Sequence, residues 1–126
     1  MKIEHVAIWT KDLEKMKDFY CKYFKTNHGE LYYNKNTGFK SYFLTFSSGA
    51  RIELMNNEFN KKSGYDQLGY AHIAVSVGIK QDVDNMTDEF KKDGFKVISG
   101  PRTTGDGYYE SVIEDPEGNL IEITCN

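Results

Sequence analysis

The sequence predicts an α+β fold built from two copies of one βαβββ module, and three observations carry that expectation. IEHVAIW recurs as YAHIAVSV, which places His5 and His72 67 residues apart, and ARIELM recurs as NLIEIT, which places Glu53 and Glu122 69 apart. Between these anchors Leu13, Met16 and Tyr20 map onto Val83, Met86 and Phe90 at an offset of 70, and Gly38, Phe39 and Gly49 onto Gly107, Tyr108 and Gly118 at an offset of 69. The one-residue slip from 70 to 69 marks a loop indel between duplicated units, and two copies are too few for a solenoid.

A module of about 60 residues buries too little surface to be stable alone. Residues 1–126 are therefore expected to form a single domain, in which module 1–57 and module 69–126 share a core.

The elements follow in order. Ile3 to Thr10 alternates as a strand. Lys11 to Phe24 puts Leu13, Met16, Tyr20 and Phe24 on one helical face, with Asp12 near the start, where a carboxylate suits the free N–H groups. Short strands are expected at Glu30 to Tyr33, Lys40 to Phe46 and Arg51 to Asn56, the last two joined through the hairpin signal Ser47-Ser48-Gly49. Asn57 to Gly69, NEFNKKSGYDQLG, reads as a polar linker. The second copy repeats the order with a strand at Tyr70 to Val77 and a helix at Lys80 to Asp93 that stops at Gly94. Strands at Lys96 to Ser99, Tyr108 to Glu114 and Asn119 to Thr124 complete it, the last two joined by Asp115-Pro116-Glu117-Gly118. The stretch Gly100 to Gly107, GPRTTGDG, reads as a loop able to border a substrate.

Composition excludes several classes of function. The chain has 39% hydrophobic and 28% charged residues, ordinary for a soluble globular protein. A net charge of −3 and the lack of a long Lys/Arg run argue against nucleic acid. No apolar stretch approaches a membrane span, and MKIEHVAI lacks the apolar core of a signal peptide. Cys21 and Cys125 have no framework spacing, so free thiols in a reducing, cytoplasmic setting are expected.

Strand alternation turns the repeat into geometry. Val6 and Ile8, Ile52 and Leu54, Ile73 and Val75, and Ile121 and Ile123 form apolar faces that helices can cover. His5, Glu53, His72 and Glu122 then point to the other side. A lone strand His is more often a structural residue than a ligand, and a lone Glu is usually solvated; the symmetric pairing lifts all four together. Two half-sites of one His and one Glu make a candidate site for one divalent metal ion. His28, in the loop NHGE, has no counterpart in the second copy and reads as a surface residue.

From IEHVAIWTKDLEKMKDFY through ELMNN and GYAHIAVSV to EDPEGNLIEI, the chain resembles the vicinal oxygen chelate superfamily, and within it glyoxalase I most closely. The resemblance implies two βαβββ modules forming a half-open eight-stranded barrel around a metal site, and a homodimer. Extradiol dioxygenases and fosfomycin-modifying thiol transferases typically use two His and one Glu. Methylmalonyl-CoA epimerases usually carry Gln at the position of Glu53, and bleomycin-binding relatives have no ligands. His5, Glu53, His72, Glu122 is a glyoxalase I-like set.

Two imidazoles and two carboxylates neutralise a divalent cation without thiolate. Four protein ligands with one or two waters suit octahedral Ni²⁺, Co²⁺, Mn²⁺ or Fe²⁺, whereas tetrahedral Zn²⁺ would need to expand its coordination to leave an open position. The resemblance points to Ni or Zn. The reaction it implies is isomerisation of the hemithioacetal of a 2-oxoaldehyde such as methylglyoxal and a thiol into a 2-hydroxyacyl thioester. The metal would act as Lewis acid, Glu122 as proton shuttle, and Glu53 as ligand or partner base.

The small-molecule substrate is less well specified. Glutathione-using relatives commonly carry Arg four residues after the first ligand; Trp9 stands there, either lining a pocket or closing a core. Asn57 matches the Asn that commonly follows the first Glu by four. Arg102, within the GPRTTGDG loop, and Tyr108, just after it, are further substrate-binding candidates. Arg102 has the planar fork that pairs with carboxylate or phosphate, and a solvated loop charge is the alternative. Capture of a small molecule or antibiotic without turnover stays open as a rival function, as do thiol transfer and epimerisation on the same scaffold. Whether the half-sites join within one chain or across a dimer is not decided by any residue.

Overall fold

The computed structural model describes residues 4–57, 72–104 and 107–125. The chain divides into two compact units, Met1–Lys62 and Ser63–Asn126. The expected linker lies, apart from Asn57, outside the described residues, as does Ile3 of the first strand.

The first unit runs β1 (His5–Trp9), α1 (Leu13–Phe24), β2 (Asn27–His28), β3 (Tyr32–Tyr33), β4 (Lys40–Thr45) and β5 (Arg51–Asn56). Its sheet has the order β1-β5-β4-β2, with β3 also on β4. The second unit runs β6 (His72–Ser76), α2 (Lys80–Lys92), β7 (Val97–Thr103), β8 (Tyr109–Glu114) and β9 (Leu120–Thr124), in the order β6-β9-β8-β7. In each unit the first strand lies parallel to the last, because a helix carries the chain back across the sheet, and the remaining neighbours are antiparallel. The second unit has the βαβββ order expected from the sequence, and the first has it with one additional short strand after the helix.

Each helix covers one face of its own sheet. Leu13, Met16, Phe19, Tyr20 and Tyr23 are buried with Tyr42, Leu44, Ile52 and Leu54 in the first unit. Val83 and Phe90 are buried with Ile113, Ile121 and Ile123 in the second. The stripe on α1 is wider than the sequence suggests: Phe19 and Tyr23 join it, and Phe24 is only half-buried. Equivalent helix positions are tied to the sheet in both units. The Tyr42 hydroxyl donates to Glu14 at 2.7 Å, and the Tyr109 hydroxyl to Asp84 at 2.6 Å. One turn further along, the Lys17 ammonium lies 5.2 Å from the Tyr42 ring centre, and at the corresponding positions the buried Thr87 and Ser111 hydroxyls share a 2.6 Å hydrogen bond.

Helix ends obey local rules. The Asp12 carboxylate accepts the Lys15 N–H at 3.0 Å, as a capping residue should. At the end of α2, Phe95 N–H donates to Phe90 C=O and Gly94 N–H to Lys91 C=O, with Gly94 at φ +84°. That bond pattern closes a helix through a left-handed glycine, and the Phe90 and Phe95 rings pack edge to face across it.

Two expectations are corrected. Of the strand expected at Glu30 to Tyr33 only Tyr32–Tyr33 (β3) is extended, and a further short strand, β2, precedes it; both pair with β4, and Gly29 extends β2 by donating to Phe43 C=O. GPRTTGDG is not all loop: β7 continues through Gly100 and Pro101 to Thr103, with register shifts on either side of Ser99 absorbing the irregularity. Thr104 and Tyr108 close the end of that hairpin by mutual hydrogen bonds. Cys21 and Cys125 are free thiols. No described helix is long and apolar enough to cross a membrane.

Candidate functional site

Parallel pairing fixes where the repeated His and Glu stand. In the first unit His5 lies opposite Arg51 and Ala7 opposite Glu53; in the second His72 lies opposite Leu120 and Ala74 opposite Glu122. Each Glu is thus one pleat beyond the residue facing its His, on the same side of the sheet, and the register is identical in both units. That side is the one the helix leaves uncovered. Val6 and Ile8 are less exposed than His5, Ala7 and Trp9, and Ile52 and Leu54 are buried on either side of Glu53. The same alternation holds for β6 and β9.

Within each unit the His and Glu are close. His5 Nε2 lies 3.7 Å from Glu53 Oε2, and His72 Nε2 lies 3.2 Å from Glu122 Oε2. The histidines are exposed and the carboxylates mostly covered, with Glu53 16% and Glu122 22% exposed. Two donors bound at about 2.1 Å on neighbouring positions of one cation are separated by about 3 Å. The 3.2 Å pair matches that spacing and the 3.7 Å pair is somewhat wider, and the chemistry of both pairs suits ligands of a divalent ion. Among the described residues no group of three or more His, Cys, Asp and Glu side chains is placed to hold a metal ion. Each unit by itself offers two donors.

Among the described residues, the first pair has a surround that the second lacks. The Glu4 carboxylate bonds His5 Nδ1 at 2.5 Å through one oxygen, and through the other accepts from Arg51 Nε at 2.7 Å. The hydrogen bond with His5, followed by the guanidinium of Arg51, holds the Glu4 carboxyl below its usual range. Arg51 lies over the Phe43 ring at 4.1 Å, and Phe43 meets the His5 ring edge to face at 5.3 Å. Sequence reasoning passed over Glu4 and Phe43. The available signal was a carboxylate next to a strand histidine, visible in IEHVAIW.

The expected substrate-binding residues are placed unevenly. Trp9 is 50% exposed on the His5 face, edge to face with Phe39, so it does not close a core. Arg102 is exposed and stands on β7 rather than in a loop. Its register partner is Glu110, and Glu110 shares a face with Val112, the partner of Glu122. Tyr108 is 59% exposed at the end of the hairpin. Asn57 is half-buried just past β5, while its neighbour Asn56 donates to the carbonyls of Thr10 and Lys11 and so pins the entry to α1. His28 is exposed, as expected, and contributes with Gly29, Glu30, Leu31 and Tyr42 to a shallow cleft of about 460 Å³ that includes neither His5 nor Glu53.

A family model described as Glyoxalase/Bleomycin resistance protein/Dioxygenase superfamily matches residues 2–123. A protein of Bacillus subtilis (strain 168), the uncharacterized protein YqjT, is 24% identical over 129 residues, covering 98% of this chain and 98% of that one. Among solved structures, the trypanothione-dependent glyoxalase I of Leishmania major is similar with a TM-score of 0.80 and 21% identity, over 99% of this chain and 86% of that chain. A glyoxylase/bleomycin resistance protein/dioxygenase domain from Frankia sp. EAN1pec has a TM-score of 0.85 at 15% identity, over 100% and 98%. Glyoxalase I from Zea mays has a TM-score of 0.82 at 20% identity, and there the match spans 99% of this chain but 44% of that one. At these identities the likeness to solved structures is one of fold.

Proposed function

The chain belongs to the glyoxalase/bleomycin resistance protein/dioxygenase superfamily, and on that premise we propose that it is a metal-dependent enzyme of glyoxalase I type. The observation that carries the reading is the identical register of His5 with Glu53 and of His72 with Glu122. Members of the superfamily typically bind a divalent metal. In this chain the ligand set would be His5, Glu53, His72 and Glu122, drawn from both half-sites, with Ni²⁺ or Zn²⁺ favoured and Co²⁺, Mn²⁺ and Fe²⁺ compatible with the same donors. When bound, such an ion supplies Lewis acidity that polarises two neighbouring substrate oxygens.

The chain's own residues perform the proton chemistry. Glu122 takes a proton from the carbon that bears sulfur and hydroxyl and returns it to the adjacent carbonyl carbon, while the hydroxyl proton passes from the first oxygen to the second. Hydroxyl and carbonyl exchange places along the two carbons, and the hemithioacetal becomes a 2-hydroxyacyl thioester with no atom gained or lost. A carboxylate suits this task because it accepts and releases a proton within one turnover. Glu53 is the second ligand or partner base, and both histidines hold position throughout. Trp9, Asn57, Arg102 and Tyr108 contact the substrate in this reading, and the protein works in the cytoplasm as a homodimer.

The test is thioester formation from methylglyoxal with glutathione, then with other low-molecular-weight thiols, on protein loaded separately with Ni²⁺ and Zn²⁺. Thioester with any of these thiols supports the reading; none with any thiol on either loaded form refutes it. A second reading, capture of a small aromatic molecule without turnover, draws on Trp9, half exposed beside Phe39 on the His5 face. A ligand-dependent change in Trp9 fluorescence on protein that makes no thioester would favour it.

A further inference from the structure

We propose that Glu4, held by Arg51, is a positioning residue that fixes the tautomer and ring orientation of His5, and that it makes the two half-sites unequal. The proposal rests on the reading of His5 as a ligand for its purpose, but not for its geometry. A neutral imidazole has one N–H and one lone pair, and a carboxylate only accepts. With Glu4 Oε2 2.5 Å from Nδ1, the proton sits on Nδ1 and the lone pair of His5 sits on Nε2, the atom 3.7 Å from Glu53 Oε2. This is the donor arrangement that a carboxylate behind a ligating histidine provides.

Glu4 is itself held in place. Its other oxygen receives Arg51 Nε at 2.7 Å and Nη2 at 2.5 Å. The backbone N–H of Arg51 donates to the Glu4 carbonyl at 2.9 Å, so the strand pairing and the ion pair act on the same two residues. The Arg51 guanidinium lies on Phe43, and the Phe43 ring meets His5 edge to face. Glu4, His5, Phe43 and Arg51 form a closed ring of contacts, in which moving any one side chain disturbs two others.

The second module does not carry these residue types at the equivalent positions. At the positions corresponding to Glu4, Phe43 and Arg51 it carries Ala71, Val112 and Leu120. None of those side chains can accept a proton from an imidazole or anchor a carboxylate. His and Glu recur in both halves, whereas Ala71, Val112 and Leu120 stand where the other residues of this ring would recur.

Proton–nitrogen correlation spectra of the metal-free protein, at alkaline pH where imidazole is neutral, read the tautomer directly. His5 is expected in the Nδ1–H form in the parent. Glu4→Ala should move it toward the Nε2–H form and leave His72 unchanged. Glu4→Gln, whose amide oxygen still accepts, should restore most of the parent pattern. Titration with zinc chloride should show affinity weakened about tenfold in Glu4→Ala, the low end expected for a residue behind a ligand, and less in Glu4→Gln. A His5 tautomer that stays the same in Glu4→Ala overturns the proposal whatever the zinc titration gives. A shifted tautomer in a protein that binds no zinc upholds the positioning and refutes the metal reading instead.

Discussion

Glu53 stands beside Ala7, one pleat past the strand position opposite His5, and its carboxylate reaches to 3.7 Å from the imidazole. Glu122 repeats that relationship with His72 at 3.2 Å. A shared register is a stronger link than a shared motif, because a slip of one residue in either strand pair would send one member of the pair to the helix-covered face.

If Glu122 shuttles the proton, Glu122→Gln should keep the fold and bound metal yet lose turnover by about 10²- to 10⁴-fold, the usual worth of a general base. Initial rates of thioester formation, with metal content measured on the same sample, check this. Parent-level turnover would remove Glu122 from that role.

Asp115 is buried, and its carboxylate accepts from the backbone N–H groups of Glu117 and Asn119 and from the Asn119 side chain, all within 2.9 Å. Asp115→Ala strands those donors in the turn that sets the start of β9, and so the position of Glu122. A loss of about 2 kcal/mol is expected, read as a lower urea midpoint at unchanged slope.

Two glycines of similar φ should respond differently to alanine. At Gly94 an added methyl meets nothing within 4 Å, so only the left-handed backbone resists, at about 1 kcal/mol. At Gly100 the methyl would lie 2.5 Å from the Glu110 carbonyl oxygen and 2.8 Å from Ser111 Cα. Gly100→Ala should therefore lower the urea midpoint clearly more than Gly94→Ala, since backbone has to move.

Glu14 accepts from Lys17 and from Tyr42, and these bonds, Lys17 first, hold its carboxyl below the ordinary 4.5. A carboxyl lowered in the folded state stabilises the protein above its unfolded pKa and loses that contribution as pH falls through the folded value. The parent should be more stable than Glu14→Gln near neutral pH, and the gap should narrow on acidification below 4.5. Because Glu14 is exposed, the gap should be small and shrink with salt. Urea melts across that pH range decide it.

Much of this was legible in the sequence, for identifiable reasons. Apolar and polar alternation around Glu53 and Glu122 reports a sheet with one covered face, and β5 begins and ends where that alternation does. The Asp12 cap and the Gly94 stop are local chemistry and need no tertiary knowledge. The sequence ends this strand at Ser99 because Gly100 and Pro101 ordinarily punctuate a chain, and only the partner strand shows that register shifts carry the pairing of β7 past them. The Glu4 and Arg51 contact was hidden for a similar reason. It joins residues 47 apart through a strand pairing that sequence order does not reveal.

The central claim is that both half-sites serve one cation, and metal counting on single-site variants tests it most directly. Parent protein, His5→Ala and His72→Ala would each be equilibrated with Ni²⁺, dialysed and analysed for metal per chain. The account predicts one tightly held ion per chain in the parent and its loss in either variant. Two ions per chain, or an ion retained undiminished when either histidine is removed, would contradict it.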